Sequence, residues 1–360
     1  MRILVEVTHP AQVHLFKHAV TLWQRRGHRV LVASRDKDCL LELLNNLGIA
    51  HVCLSRRRRG LLGLGWEMLE RDWQMLRLLW NFRPDVVVGR ITIAGAQMGF
   101  LTGRPVVLLE DTEHARLQQR LSLPFATVVC TNAGYRRNWG PRHVRFAGIE
   151  HLAYLHPKYF TPDPEVRSRA GLSPDEPYIV LRLVSWEAAH DIGQEGLKES
   201  DIAALMHALQ PHGRIFISAE RSLPARWTAH RIRLPASDML NLLAFARIYV
   251  GEGGSMASEA ACLGTPAVFV NRLRVGYLEW LENRYGLVRN VSTLRDAVAA
   301  AQALLAVPPP EYAARRQQLL RDTCDVTEFI VDIVERAGRG ERTQPWTNHV
   351  GHVANSSQKH

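Results

Sequence analysis

The stretch Val250-Gly-Glu-Gly-Gly-Ser-Met-Ala-Ser-Glu-Ala-Ala-Cys-Leu-Gly-Thr-Pro-Ala-Val-Phe269 reads as a strand, a glycine turn, a helix and a second strand. Glycines at 251, 253 and 254 allow backbone amides to approach an anion closely. Ser255 suits a helix N-cap, and the helix N-terminus adds partial positive charge. Glu259 then falls in the first turns, within reach of a ribose joined to phosphates held at the glycines. Gly264-Thr265-Pro266 ends the helix. A bare tight turn, with Glu259 complementing the helix dipole, gives the same pattern, so the context must decide between the two.

Outward from this unit the same rhythm recurs. Arg2–Val7 is a strand, Ala11–Arg26 an amphipathic helix closed by Gly27, Arg29–Ala33 a strand, Cys39–Leu47 a helix and Ala50–Leu54 a strand. Further strands are predicted at Val86–Val88, Val106–Leu109 and Thr127–Cys130, with a helix at Ile93–Leu101. The prolines at 157, 162, 164, 174 and 177 interrupt the pattern, which restarts with strands at Tyr178–Val184 and Arg214–Ser218. A helix at Asp238–Ala246 and strands at Ile248–Val250 and Ala267–Val270 follow. Alternating strands and helices predict α/β architecture: two Rossmann-like, doubly wound parallel-sheet domains facing a central cleft. The boundaries are 1–150, a proline-rich linker at 151–176, 177–310, C-terminal helices at 311–337 returning to the first domain, and a disordered tail at 338–360.

Composition bounds the class. The chain has 360 residues, 46% hydrophobic and 22% charged, as expected of a globular protein. No apolar run approaches a membrane span, and the N-terminus reads as a strand instead of a signal peptide, so the protein is expected in the cytoplasm. Its five cysteines are odd in number, widely spaced and without zinc-ligand spacing, which predicts buried free thiols. A formal net charge of +10 favours an anionic partner. No helix-turn-helix, zinc-finger or ribonucleoprotein motif points to specific nucleic acid.

Gly253-Gly-Ser-Met-Ala-Ser-Glu-Ala260 with Gly264-Thr-Pro266 resembles the donor-site signature of GT-B glycosyltransferases. It is similar to the bacterial lipid-linked N-acetylglucosaminyltransferase of peptidoglycan synthesis and to the UDP-N-acetylglucosamine 2-epimerases. The whole chain looks like an uncharacterised bacterial and archaeal GT-B-like family. Pro10–His14, Glu110–Ala115, Gly148–Pro157, Arg182–Asp191 and Gly251–Pro266 carry that resemblance. It implies that Gly253, Gly254, Ser255 and Met256 meet a diphosphate and that Glu259 holds the ribose.

In open parallel sheets ligands sit at the carboxyl ends of strands. Three first-domain loops carry reactive side chains there: Thr8–His14, Gly89-Arg90-Ile91-Thr92, and Glu110-Asp111-Thr112-Glu113-His114. His14 resembles the histidine after the first strand of the peptidoglycan enzyme and is a candidate base; with His18 it also reads as a solvated i, i+4 pair. Crowded carboxylates should raise one another's pKa, and Glu113 and His114 are the favoured catalytic members. In the second domain Arg182 would pair with a diphosphate leaving group, with Ser185 and His190 beside it.

Arg56-Arg57-Arg58-Arg59 precedes Leu61, Leu62, Leu64 and a stripe of Trp66, Leu69, Trp73, Leu76 and Trp80. The stripe is predicted to face the core, and the arginines and leucine tip to meet an anionic membrane surface. Together these readings imply a metal-independent glycosyltransferase needing no cofactor, with a nucleotide-sugar (a UDP-sugar favoured) and a glycan or lipid-linked acceptor. Asp36-Lys37-Asp38 precedes a helix and reads as a cap, not as a metal-binding Asp-x-Asp. A UDP-sugar 2-epimerase is the alternative, although the His-Arg-x-Glu-Asn element expected of it is replaced by Arg182-Leu-Val-Ser-Trp186. A non-catalytic nucleotide-binding protein is the alternative of another class.

Overall fold

The structure is a computed structural model that describes residues 1–56, 58, 60–184, 197–220 and 222–341. The chain divides into two units, Met1–Tyr154 with the chain from Thr323 onward, and Leu155–Asp322.

The first unit runs β1 (Arg2–Val7), α1 (Pro10–Arg25), β2 (Arg29–Asp36), α2 (Leu40–Asn46), β3 (His51–Arg56), α3 (Leu61–Phe82), β4 (Val86–Arg90), α4 (Ile93–Leu101), β5 (Val106–Glu110), α5 (Arg116–Ser122), β6 (Val128–Thr131) and β7 (His143–Arg145). Among the described residues its strands form one parallel sheet in the order β3-β2-β1-β4-β5-β6-β7. The strands are continuous apolar runs because both faces are covered: Leu4, Val5, Val88, Val107 and Leu108 are fully buried. In α1 the His9 side chain accepts from the Ala11 amide and Pro10 opens the first turn. Its predicted face, Val13, Phe16, Val20 and Trp23, is buried. Each such side chain contributes about 1.5–3 kcal/mol on leaving water.

The second unit begins with α7 (Val166–Arg169), preceded at the junction by α6 (Leu152–Leu155). It continues β8 (Tyr178–Leu183), α8 (Glu199–Leu209), β9 (Arg214–Ala219), α9 (Met239–Ala244), β10 (Ile248–Gly251), α10 (Gly254–Leu263), β11 (Ala267–Val270), α11 (Gly276–Tyr285), β12 (Val288–Val291), α12 (Leu294–Leu305) and α13 (Pro309–Asp322). Its parallel sheet has the order β12-β11-β10-β8-β9 among the described residues. Each sheet therefore reverses winding once, at β1/β4 and at β8/β10, and the crevice beyond such a reversal is where this fold class binds ligands.

Several expectations are corrected. The span 151–176 is not a bare linker: Val166 and Leu172 are buried, and Arg169 pairs with Asp163 and Asp238 at 2.8 Å each. Pro157, Pro164 and Pro174 lie in short turns instead of keeping the chain extended. The C-terminal helices separate. α13 belongs to the second unit, and the last helix, α14 (Val326–Gly338), to the first. Asp325 caps α14 by accepting from the Glu328 amide at 3.0 Å, and Arg26 at the end of α1 bridges Glu328 and Glu335. Asp36 and Asp38 cap nothing: Asp36 ends β2, Cys39 occupies the N-cap of α2 and no side chain bonds there. Cys130 and Cys262 are buried as expected, but Cys39 and Cys53 are exposed. Residues 342–360, the expected disordered tail, lie outside the described residues, as do Ser185, His190, Arg57 and Arg59.

Candidate functional site

In the second unit the ends of β8 and β10 lie side by side, with Arg182 in register with Gly251. The approach demands glycine: a Cβ on Gly251 would come within 2.6 Å of the Arg182 carbonyl oxygen. The Glu252 amide then donates to that carbonyl at 3.2 Å, and the turn delivers Gly253 against the Arg182 side chain. Tyr249, whose phenol is kept protonated by burial, donates from its hydroxyl to the Gly253 carbonyl at 2.9 Å and fixes the turn.

Helix α10 starts at once after this turn. Gly253, not Ser255, is its N-cap, and Ser255 is an exposed first-turn residue. The helix begins two residues earlier than predicted because Gly254 takes the first helical position. His9, Thr293 and Asp325 cap their helices with side-chain hydrogen bonds, whereas no side chain caps α10. No capping side chain therefore bonds to the first-turn amides of α10. Gly264, at φ +88°, closes the helix in the left-handed region.

Arg182 donates from Nη1 to Ser218 Oγ at 2.6 Å and from Nη2 to Glu220. Its Nε lies 3.9 Å from where a Gly253 Cβ would stand. One edge of the guanidinium is therefore anchored and the other faces the turn. Glu259 is half-buried, and its charge acts on Tyr249 and Cys262. Sequence reasoning missed Glu252. Its buried carboxylate accepts from the amides of Val184 at 3.0 Å and Leu197 at 2.6 Å. One side chain so joins the two described ends flanking the segment that carries Ser185 and His190.

In the first unit the carboxyl ends of β4 and β5 build a buried charge cluster. Arg90 pairs with Asp111 and, through Nε, with Glu150 at 3.1 Å. Burial and the neighbouring Asp111 charge push Glu110 up to about 7, against hydrogen bonds from the Thr112 amide and Gln119. Burial likewise raises Glu150, opposed by Arg90 and reinforced by Asp111 and Glu110. His151, beside it in sequence, is held down to about 4 by burial. Ile91, immediately after Arg90, has φ +38°, costly for a β-branched residue and a mark of a constrained site. The crowding expected of this loop acts on Glu110.

Glu113 is buried and accepts from the Arg136 amide at 3.1 Å; His114 is half-buried beside it. His14 lies against Tyr154, ring centroids 5.5 Å apart, and is not part of a solvated pair. Burial, Lys17 and His18 hold it down to about 4, and burial does the same to His18. A side chain so placed is a neutral imidazole at pH 7.

The tryptophan stripe of α3 overturns its reading. Trp66, Leu69, Trp73 and Trp80 are 62%, 66%, 57% and 58% exposed, and Phe100 and Leu101 at the end of α4 are exposed too. The opposite face is buried instead: Met75 and Leu79 join the core, and Glu67 is accommodated there by accepting from Arg35 Nε at 2.6 Å and Arg35 Nη2 at 2.8 Å, from Ser55 and from the Arg58 amide. Arg56 and Arg58 are exposed; the side chains of Leu61 and Leu62 lie outside the described residues. No described helix is long and apolar enough to cross a membrane.

Residues 1–337 match the family model described as "Protein of unknown function (DUF354)". The chain is 24% identical over 276 residues to a Methanocaldococcus jannaschii protein named only as uncharacterized, covering 74% of this chain and 80% of that one. It is 28% identical over 231 residues to the UDP-N-acetylglucosamine–N-acetylmuramyl-(pentapeptide) pyrophosphoryl-undecaprenol N-acetylglucosamine transferase of Burkholderia ambifaria; that match covers 58% of each chain, little more than half the transferase's length. The UDP-GlcNAc 2-epimerase of Neisseria meningitidis, solved with UDP-GlcNAc bound, superposes with a TM-score of 0.67 at 14% identity, covering 93% of this chain and all of that one. Solved glycosyltransferases share the fold as well. The architecture is thus GT-B-like, two Rossmann-like parallel-sheet domains.

Proposed function

The chain belongs to the DUF354 family, and we propose that it is a glycosyltransferase moving a sugar from a nucleotide-sugar, a UDP-sugar by preference, to a glycan or lipid-linked acceptor of the cell envelope. The observation that carries this reading is the uncapped first turn of α10 at the β8/β10 reversal, with Arg182 alongside. In this reading the diphosphate accepts from the amides of Gly254, Ser255 and Met256, and Glu259 accepts from the ribose hydroxyls. Arg182 and the helix N-terminus neutralise the leaving diphosphate, so no metal is required.

The transfer forms a bond from an acceptor oxygen to the anomeric carbon and breaks the bond from that carbon to the diphosphate. The acceptor proton passes to a base. A neutral His14 is one candidate, and the Glu113-His114 pair the other. The similarity to a named transferase and the shared fold support the class; the donor and acceptor rest on the chemistry of the site.

A thermal-shift screen of the whole chain against UDP-, GDP-, CMP-, dTDP- and ADP-sugars tests the reading. Stabilisation by one nucleotide class that disappears in Glu259→Ala is the expected result. Equal stabilisation of wild type and Glu259→Ala would overturn the ribose assignment.

An epimerase is the second reading, favoured by one observation: the Glu110 carboxyl, held up to about 7, is poised to give and take a proton near neutrality. Incubation of the accepted UDP-sugar without acceptor separates the two. A 2-epimer or released glycal favours the epimerase, and its absence with intact donor binding favours transfer.

The proposal extends to location at an anionic membrane surface. Exposed Trp66, Leu69, Trp73 and Trp80 line one face of α3, with exposed Arg77, Arg83, Arg56 and Arg58 around it. Indoles and basic side chains together suit the headgroup boundary.

A further inference from the structure

On the flank of the first unit's sheet, beside α5, lies a pocket of about 520 Å³ that none of the donor or base assignments uses. Arg116, Arg120, Arg137 and Arg142 line it, and no carboxylate does. None of the four enters an ion pair among the described residues. Arginines elsewhere are commonly paired, as Arg169 is with Asp163 and Asp238. Like charges gathered at one cavity without a counterion repel one another, and an anion relieves that repulsion.

Two of the guanidinium groups are held in place. Arg137 donates to Gln119 Oε1 at 2.8 Å, and Arg142 donates to the carbonyls of Pro124 at 3.0 Å and Ala126 at 2.9 Å. Each keeps further N–H groups for a ligand. Arg116 and Arg120 are exposed on one face of α5. Between these charges the wall is apolar, formed by Leu123 and the Trp139 indole. The pocket is also joined to the charge cluster, since the Gln119 that steadies Arg137 bonds to Glu110 at 3.1 Å.

We infer that this pocket receives the phosphorylated end of an apolar phosphate or diphosphate ester, as the acceptor side of the reaction proposed above. A fixed guanidinium group matches phosphate oxygens bidentately, and the apolar wall favours an ester over a free inorganic ion. The acceptor role rests on the transferase reading; the binding itself does not.

Calorimetric titration of the whole chain with geranyl diphosphate, inorganic pyrophosphate and geraniol tests it. Geranyl diphosphate is expected to bind at least about tenfold more tightly than pyrophosphate, and geraniol to give no binding. R116E/R120E, which alters exposed positions only, should weaken geranyl diphosphate at least about tenfold, with R116Q/R120Q in between. Both variants should keep the nucleotide stabilisation of the wild type. Equal binding by wild type and R116E/R120E would overturn the inference. So would competition between UDP and geranyl diphosphate, which would put the ester on the glycine turn of the second unit. Arginine-dependent binding in a protein that ignores every nucleotide-sugar would leave the pocket standing and remove the transferase reading alone.

Discussion

The side-chain amide of Gln119 donates to the buried carboxylate of Glu110 at 3.1 Å, while the main-chain amides of Asp111 and Thr112 donate to its other oxygen at 2.9 Å each. These bonds favour the charged form, yet burial and Asp111 outweigh them and leave the carboxyl at about 7, above its ordinary 4.5. Between those values the folded protein keeps a proton that the unfolded chain releases. The contribution of Glu110 to stability is therefore full below pH 4.5 and is lost as pH rises through 7. The loss is on the order of 3 kcal/mol. Glu110→Gln removes this linkage, so the melting temperature of the variant minus that of wild type should climb between pH 5 and 8. A difference that stays flat with pH would refute the assignment.

Gly251 and Gly65 should respond oppositely to alanine. At Gly251 the new Cβ would meet the Arg182 carbonyl oxygen at 2.6 Å and its amide nitrogen at 2.9 Å, so β8 and β10 must part. A loss of about 1–3 kcal/mol is expected in urea unfolding. Gly65 lies in α3 with open space around it, and Gly65→Ala should stabilise by about 0.5–1 kcal/mol.

Arg182→Met should reduce stabilisation by the preferred nucleotide-sugar at least about tenfold in apparent affinity, through loss of the guanidinium beside the diphosphate. Excess EDTA should leave wild-type donor binding unchanged. Donor binding that vanishes with EDTA and returns with magnesium would assign the leaving group to a metal instead.

How much of this was legible in the sequence differs from part to part. The alternation of Val- and Leu-rich runs with 3.6-residue stripes announced both sheets, because fully covered parallel strands carry no polar face to blur the pattern. Gly264-Thr265-Pro266 announced the end of α10 for the same local reason. The exposed stripe of α3 was illegible: spacing identifies an apolar face but not its direction, and here the face with Met75 and Leu79 enters the core, where Arg35 neutralises its Glu67. The charge cluster was half legible. Arg90 and Glu110 end adjacent strands in the alternating pattern, whereas Glu150 reaches Arg90 through tertiary structure alone.

If His14 is the base, its pH behaviour will show it. With the imidazole held down to about 4, the acid limb of nucleotide release from the donor should fall near pH 4, well below the usual histidine range. His14→Ala should lower kcat about 10²–10⁴-fold and leave donor KM nearly unchanged. An unchanged kcat would shift the assignment to Glu113-His114.

Replacing Trp66, Trp73 and Trp80 together by serine should change stability by no more than about 0.5 kcal/mol per site, because all three are more than half exposed. Co-sedimentation with phosphatidylglycerol vesicles should be lost, while wild type sediments with these and not with phosphatidylcholine. Equal sedimentation of wild type with both lipids would remove the basic residues from the account.

The same three indoles give the molecule an optical handle. Trp23 and Trp227 are buried, so their emission reports the interior, whereas Trp66, Trp73 and Trp80 emit from water. Among the described tryptophans, the most water-exposed and so the reddest emitters are therefore those of α3, with Trp139 and Trp280 between these and the buried pair. Iodide should quench this red emission most, and transfer of the stripe into hydrocarbon would shift it to the blue without any attached dye.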